Sequence, residues 1–388
     1  MMKNKNKKNK KVLIVANCTW YLYNFRRELL NDLNDIGYNL ILLSPFDEYY
    51  LKISKFFVKQ ENLFLVRGSE NPFIELISLL NIFLAYLKYK PDLVHHFTIK
   101  PCIYGGTIAR LLGVKNIINH ITGLGPSFYS SRKKINFLNS LLKPIYKYAF
   151  SNHENNTLNI FHNNSDKNTF IDKGITSEKL SITIGGSGVD ENHFKRKSLQ
   201  KINKDINILF PARIIQEKGV IELIKACQEL WKEKFKFKLN IAGEIDKQNK
   251  SHINNSTYKN LIKNPNIIFL GKSNDMAEIY KKMDIVVLPS WREGLSKSLL
   301  EAASMSMPII TTNVPGCNDI IEHEYSGILV ESRNEKELKI AIKKYLENPN
   351  LAINYGKIAR KTITKRFTIK KINSQIIKIY YELLNNKK

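Results

Sequence analysis

The chain has 388 residues, 43% of them hydrophobic, and 61 Lys and Arg against 35 Asp and Glu give it a net charge of +26. That apolar share excludes a disordered or collagen-like chain, and the length exceeds what one core usually holds, so two domains are expected. The charge excess admits two readings, polyanionic company or a lysine-rich codon bias, because only 11 of the 61 cations are Arg.

The opening MMKNKNKKNK forms a basic tail over residues 1–10, and the apolar run after it ends at Asn17 without a cleavage-like site, so no secretory leader is expected. Short Val/Ile/Leu runs then alternate with helix-length segments: Val12–Ala16, Leu40–Leu43, Leu63–Val66, Leu93–Phe97, Asn116–Thr122, Leu158–His162 and Leu180–Ile184. A second series repeats the scheme at Ile206–Phe210, Phe237–Ala242, Ile267–Leu270, Ile285–Leu288, Ile309–Thr312 and Ile328–Val330. Continuous runs of this kind predict parallel sheets buried on both faces. Between the series, residues 191–205 read ENHFKRKSLQKINKD with almost no apolar pattern, a linker between α/β domains at 11–190 and 206–388. The last helix is a candidate to return to the first domain. Two such domains would face each other across a cleft at the carboxyl ends of their strands, where open α/β sheets bind ligands.

In chain order, the first βα turn holds NCTWYLYNFR from Asn17 to Arg26, where a dinucleotide-binding domain would carry G-x-G-x-x-G. It has no glycine, and GGSG at Gly185–Gly188 has the wrong spacing to replace it, which argues against an NAD enzyme. Phe73–Tyr89 is the longest apolar stretch, but Glu75 and Asn81 interrupt it and it falls short of about 20 clean residues, so no membrane crossing is expected. His95 and His96 precede Lys100, a cation placed either to meet an anionic acceptor or simply in solvent. His120, Thr122, Gly123 and Gly125 follow a strand; the glycines allow close backbone approach, and His120 is either a sugar contact or a core residue. From Arg132 to Phe150 an apolar helical stripe is flanked by Lys133, Lys134, Lys143 and Lys147, which suits either a membrane interface or packing on the chain's own sheet.

In the second domain Arg213 and Lys218 stand on a loop between strand INILFPA and a helical pattern, where two cations can hold a diphosphate. Further on, PSWREGLSKSLLEA places Glu293 and Gly294 in a turn, Ser296 as N-cap, and Glu301 more than a turn inside the helix. Such a helix start offers unpaired N–H groups and a positive dipole end to phosphate, while the two glutamates can serve a sugar and a ribose diol; alone, the pattern also fits a solvated surface helix. Cys18, Cys102, Cys227 and Cys317 lie far apart, suggesting neither a zinc site nor a disulfide framework, and a reducing compartment.

Glu293 and Glu301 in E-x7-E, Arg213 and Lys218 in PARIIQEKG, SGVDENHF at the domain junction, and ITGLG with the NCTWYLYNFRREL opening together resemble the retaining glycosyltransferases of family four, or group one, with the GT-B fold. The likeness covers nearly the whole chain and leans toward bacterial enzymes that extend sugars on undecaprenyl diphosphate. It implies an acceptor-binding first domain, a second domain that binds a nucleotide sugar, with UDP as nucleotide, and a cytoplasmic protein peripheral on the inner face of the plasma membrane. Arg213 and Lys218 would hold the donor diphosphate, Glu301 the ribose, and Glu293 with the backbone of Gly294, Leu295 and Ser296 the donor sugar and phosphate. Arg26, Lys100, His120, Thr122, Gly123 and Gly125 would be acceptor contacts. Asn318 stands where family members often have Arg.

Transfer with retention in this family is drawn as a front-face displacement through an oxocarbenium-like state. No D-x-D occurs in the chain, so no metal or other cofactor is expected and the cations would neutralise the leaving diphosphate. The expected partners are a nucleotide sugar, a lipid-linked saccharide and an anionic membrane surface, not nucleic acid. Two other functions fit parts of the sequence. A nucleotide-sugar epimerase would share the architecture and need no lipid. A nucleic-acid-binding protein would use the +26, but no basic stripe with interleaved aromatics and no reader motif is present.

Overall fold

A computed structural model describes residues 10–66, 68–69, 71–124, 143–151, 156–196, 206–246, 251–253, 263–273 and 275–385. The chain forms two compact units, residues 1–187 with 370–388 and residues 188–369. In the first, β1 (Lys11–Val15), β2 (Asn39–Ser44), β3 (Lys59–Asn62), β4 (Leu93–Phe97), β5 (Asn116–Ile121), β6 (Asn156–Phe161) and β7 (Ser181–Thr183) make a sheet in the order β3-β2-β1-β4-β5-β6-β7. In the second, β8 (Ile206–Phe210), β9 (Phe237–Ile241), β10 (Ile267–Phe269), β11 (Ile285–Leu288), β12 (Ile309–Thr312) and β13 (Ile328–Val330) run β10-β9-β8-β11-β12-β13. The pairings between these strands are all parallel. Strand order reverses between β1 and β4 in one sheet and between β8 and β11 in the other. The loops after those strands therefore open a crevice at the carboxyl edge.

The strands form where expected because helices cover both faces: β4 and β11 are buried at every position. The exception is Leu63–Val66, which is not a strand. The edge position goes to the polar Lys59–Asn62, paired on one side only with β2, an arrangement that tolerates exposed side chains. Leu63 and Leu65 instead anchor a loop in the core beneath helix Pro72–Tyr89, leaving Phe64 and Val66 outside.

The boundary between the units also differs from the polar linker. It falls at Ser187–Gly188, because residues 191–194 are tied into the second unit. Asp190 accepts from the backbones of Asn192 and His193 at 3.0 Å, Phe194 enters the core, and Arg360 donates to the carbonyls of Glu191 (3.2 Å) and Phe194 (3.1 Å). Residues 1–9 and 197–205 lie outside the described residues. The last helix, Ile369–Asn385, packs Ile372, Ile376 and Tyr380 against Val12, Leu33 and Leu93 of the first unit, and Asn373 donates to Asp32 at 2.6 Å.

Candidate functional site

In the second unit, three loops at the carboxyl edge are held together by backbone contacts. Gly219 has φ +72°, and a Cβ there would lie 2.0 Å from the carbonyl oxygen of Pro289, so only glycine lets the loop after β8 meet the loop after β11. The Trp291 amide donates to the Glu217 carbonyl at 2.8 Å, closing the same seam. The loop after β12 joins through Gly316, whose φ of +80° and approach to Glu293 leave no room for a Cβ. The amides of Glu293 and Ser296 donate to Pro315 O (3.2 Å) and Gly316 O (3.1 Å).

This framework brings Lys218 and Glu293 together. Lys218 Nζ lies 2.5 Å from Glu293 Oε1, with the two side chains only 19% and 12% exposed, and Ser290 Oγ donates to the same oxygen at 2.7 Å. Arg213 has a different partner: it is half-exposed and ion-paired to Asp246. Ser296 caps helix Lys297–Ser304, its Oγ accepting from the Leu299 amide at 3.4 Å.

The expected backbone contact narrows here. The Ser296 N–H is already given to Gly316 O, and Leu295 packs its side chain on the core. Glu301 is buried inside that helix. Burial pushes its carboxyl up to about 7, against the lowering effects of the Lys297 charge and a hydrogen bond from Tyr280. Asn318 turns to Asn313, donating to its Oδ1 at 3.0 Å.

Neither Arg26 nor His120 in the first unit offers a surface to an acceptor, which corrects that expectation: both are fully buried. Helix Thr19–Ile36 buries Leu22, Arg26, Leu29, Leu30 and Leu33, so Arg26 occupies the core-facing stripe by spacing alone. Its guanidinium donates to Tyr21 Oη (3.0 Å), to Gly186 O (3.3 Å) and, from Nη2, to the Nε2 atoms of His120 and His162 (both 3.1 Å). Because arginine can only donate, His120 must carry its proton on Nδ1. That proton points to His95 Nε2 at 3.3 Å, and His95 Nδ1 in turn donates to Tyr380 Oη at 2.8 Å. Burial, reinforced by the Arg26 charge, drives all three imidazoles well below their ordinary pKa.

Lys100 is likewise committed internally, to the carbonyls of Val66 (3.2 Å) and Ser69 (2.8 Å) and to Glu75 Oε1 (2.8 Å), rather than waiting for an anionic acceptor. Thr122 and Gly123 are half-buried just beyond β5. Gly125, Lys133 and Lys134 lie outside the described residues. Of the basic stripe only residues 143–150 are described, with Lys143 and Lys147 exposed and Ala149 and Phe150 buried.

Sequence reasoning passed over Ser290, Gly316, Trp291 and His162. Gly316 carried a signal, a glycine after proline in VPGCND. Trp291, whose Nε1 donates to Glu222 at 3.0 Å and whose ring lies under Arg333, did not.

Two family models match the chain: "Glycosyl transferase 4-like" over residues 11–163 and "Glycosyl transferases group 1" over 191–362. The chain belongs to the group 1 glycosyltransferases. Among curated members of this glycosyltransferase family, it is 24% identical over 94% of its length, and 96% of the other, to the N,N'-diacetylbacillosaminyl-diphospho-undecaprenol alpha-1,3-N-acetylgalactosaminyltransferase of Campylobacter jejuni. It is 27% identical over 80% of its length, and 82% of the other, to the capsular polysaccharide biosynthesis glycosyltransferase CapM of Staphylococcus aureus. Among solved structures, Anabaena HepE in complex with UDP and glucose aligns with a TM-score of 0.77 at 16% identity, covering 96% of this chain and 99% of that one. The fold is GT-B.

Proposed function

We propose that this glycosyltransferase moves a hexose or N-acetylhexosamine from a UDP-sugar to a polyprenyl-diphosphate-linked saccharide, with retention of configuration and without a metal or other cofactor. It works at the cytoplasmic face of the plasma membrane, on surface or protein-linked glycans. The observation that carries the reading is the Lys218–Glu293 pair, set at the switch point of the second sheet beside the capped start of helix Lys297–Ser304.

Lys218 is the compact cation for the diphosphate and Arg213 the planar one; both exchange a carboxylate partner for phosphate when the donor binds. Their fixed charge offsets what develops on the leaving UDP. Glu293, released from Lys218 but still held by Ser290, turns its carboxylate to a hydroxyl of the donor sugar. Glu301 accepts from the ribose diol, for which it must be ionised.

The names of two relatives support the acceptor class, one acting on a diphospho-undecaprenol substrate and one in capsule synthesis. UDP bound in a structure of the same fold supports the nucleotide. Incubation with a set of UDP- and GDP-sugars and a short polyprenyl-diphosphate saccharide tests it, read by product mass and anomeric configuration. An inverted product, abolition of transfer by a chelator, or conversion of the donor sugar without an acceptor would each overturn it.

A further inference from the structure

Among the described residues, helix Pro72–Tyr89 carries the longest run of exposed apolar side chains. It starts at an Asn71 cap with Pro72 in the first turn and runs 18 residues, about 27 Å. By length and composition it could cross a bilayer, yet one of its faces is committed: Ser78, Ile82, Ala85 and Tyr86 are buried, the last three against Leu13, Val15 and Ile41 of the sheet. Leaving the sheet would expose that core.

The opposite face consists of Phe73, Leu76, Ile77, Leu80, Leu84 and Leu87, each between 45 and 78% exposed. At 3.6 residues per turn these six fall within an arc of roughly 100°.

The two polar residues that interrupt the run in sequence both turn away from that arc. Glu75 accepts from Lys100 (2.8 Å) and from Tyr104 Oη (2.6 Å). Asn81 accepts from the Phe64 amide at 3.0 Å, and Ser78 Oγ donates to the Phe64 carbonyl at 2.6 Å. Those bonds hold the segment of Phe64 and Val66, also exposed, alongside the helix and extend the apolar surface. Its cationic end lies at the C-terminus, where Lys88 pairs with Glu61 on β3, next to Lys59, and Lys90 follows.

We infer that this face is the chain's membrane-docking surface, lying flat in the interface of an anionic bilayer with its leucines and phenylalanines among acyl chains and its lysines at the headgroups. The site is distinct from the 132–150 stripe considered from sequence, most of which lies outside the described residues, and it rests on the proposed lipid-linked acceptor for its purpose. A continuous unbroken apolar arc with lysines at one end, on a chain of net charge +26, matches a lipid surface; a protein interface of this size would carry polar groups within it.

The full chain is sedimented with phosphatidylcholine vesicles, with and without phosphatidylglycerol, beside Leu76→Gln/Leu80→Gln/Leu84→Gln and a second variant on the same face, Ile77→Gln/Leu87→Gln. Since each leucine gives up about half its surface, the triple variant should partition roughly 100-fold more weakly, with UDP binding and thermal midpoint unchanged. Vesicle binding that survives in both variants overturns the inference. So does an intact chain that ignores vesicles, or one that forms a concentration-dependent dimer lost in the triple variant. Docking without sugar transfer would refute the proposed reaction and leave the surface standing; transfer to a short-chain acceptor without docking would do the reverse.

Discussion

Replacing Lys218 with Met separates what the Lys218–Glu293 pair does for the fold from what it does for transfer. Methionine keeps the stem and removes the charge, leaving the Glu293 carboxylate 12% exposed with only Ser290 at 2.7 Å to satisfy it. Stripping one partner from a mostly buried pair costs about 3–5 kcal/mol, and the retained serine bond sets the expectation at the lower end, about 3 kcal/mol. Removing one preorganised charge stabiliser lowers turnover by roughly 10²- to 10³-fold. The double variant Lys218→Met/Glu293→Gln should recover most of the stability, because no unpaired charge remains, and none of the activity. Urea midpoints give the first quantity and initial rates at saturating donor the second. The reasoning fails if Lys218→Met transfers sugar within threefold of the parent, or if the double variant is as unstable as the single one.

Arg213→Ala should lower turnover by roughly 10²-fold while changing stability by less than about 1 kcal/mol, because its pair with Asp246 is 47% exposed on the arginine side; equal stability losses for Arg213→Ala and Lys218→Met would refute the contrast. Gly316→Ala must move the Glu293 backbone or relax φ +80°, so it should cost about 1–3 kcal/mol in denaturant unfolding and raise the donor KM. Glu293→Gln should cripple transfer and leave UDP affinity, read by calorimetry, within a few-fold. In the first unit the neutral histidines must charge as pH falls: His96, held to about 4 by burial, contributes stability that is complete above 6.5 and loses about 3 kcal/mol as pH falls from 6.5 to 4. His96→Gln should flatten that part of the melting profile, and an unchanged profile would count against the assignment.

The sheets were legible in sequence because strands covered on both faces must be continuously apolar, whereas β3 hid behind a more hydrophobic neighbour that serves as a loop. The loops of the second unit were legible for a related reason. Arg213, Lys218, Glu293 and Ser296 each follow an apolar run, so the carboxyl edge was their only address. Their pairing was not, since Lys218 meets Glu293 across 75 residues through seams set by Gly219 and Gly316. The first unit misled because titratable residues near strand ends were read toward a ligand. Arg26 sits on the same helical stripe as Leu22, Leu29 and Leu33, a pattern that places it in the core.

The two units treat buried charge in opposite ways, and that difference is what separates architecture from site. Arg26 is surrounded by groups that stay neutral, and its own charge helps to keep them so; nothing in that cluster requires a ligand to complete it. Glu301 pays in the other direction. With its carboxyl at about 7 instead of 4.5, the folded chain holds a proton that the unfolded chain has released, so stability falls by about 3 kcal/mol as pH rises from 4.5 to 7. Glu301→Gln removes that loss and should be more stable at pH 8. A buried carboxyl that weakens the fold at neutral pH is retained for something outside the fold, and a ribose diol that binds only its ionised form is such a reason. Donor KM should accordingly rise as pH falls through about 7 in the parent, and stay high and flat in Glu301→Gln. A parent whose donor KM ignores pH between 6 and 8 would instead make Glu301 a packing residue.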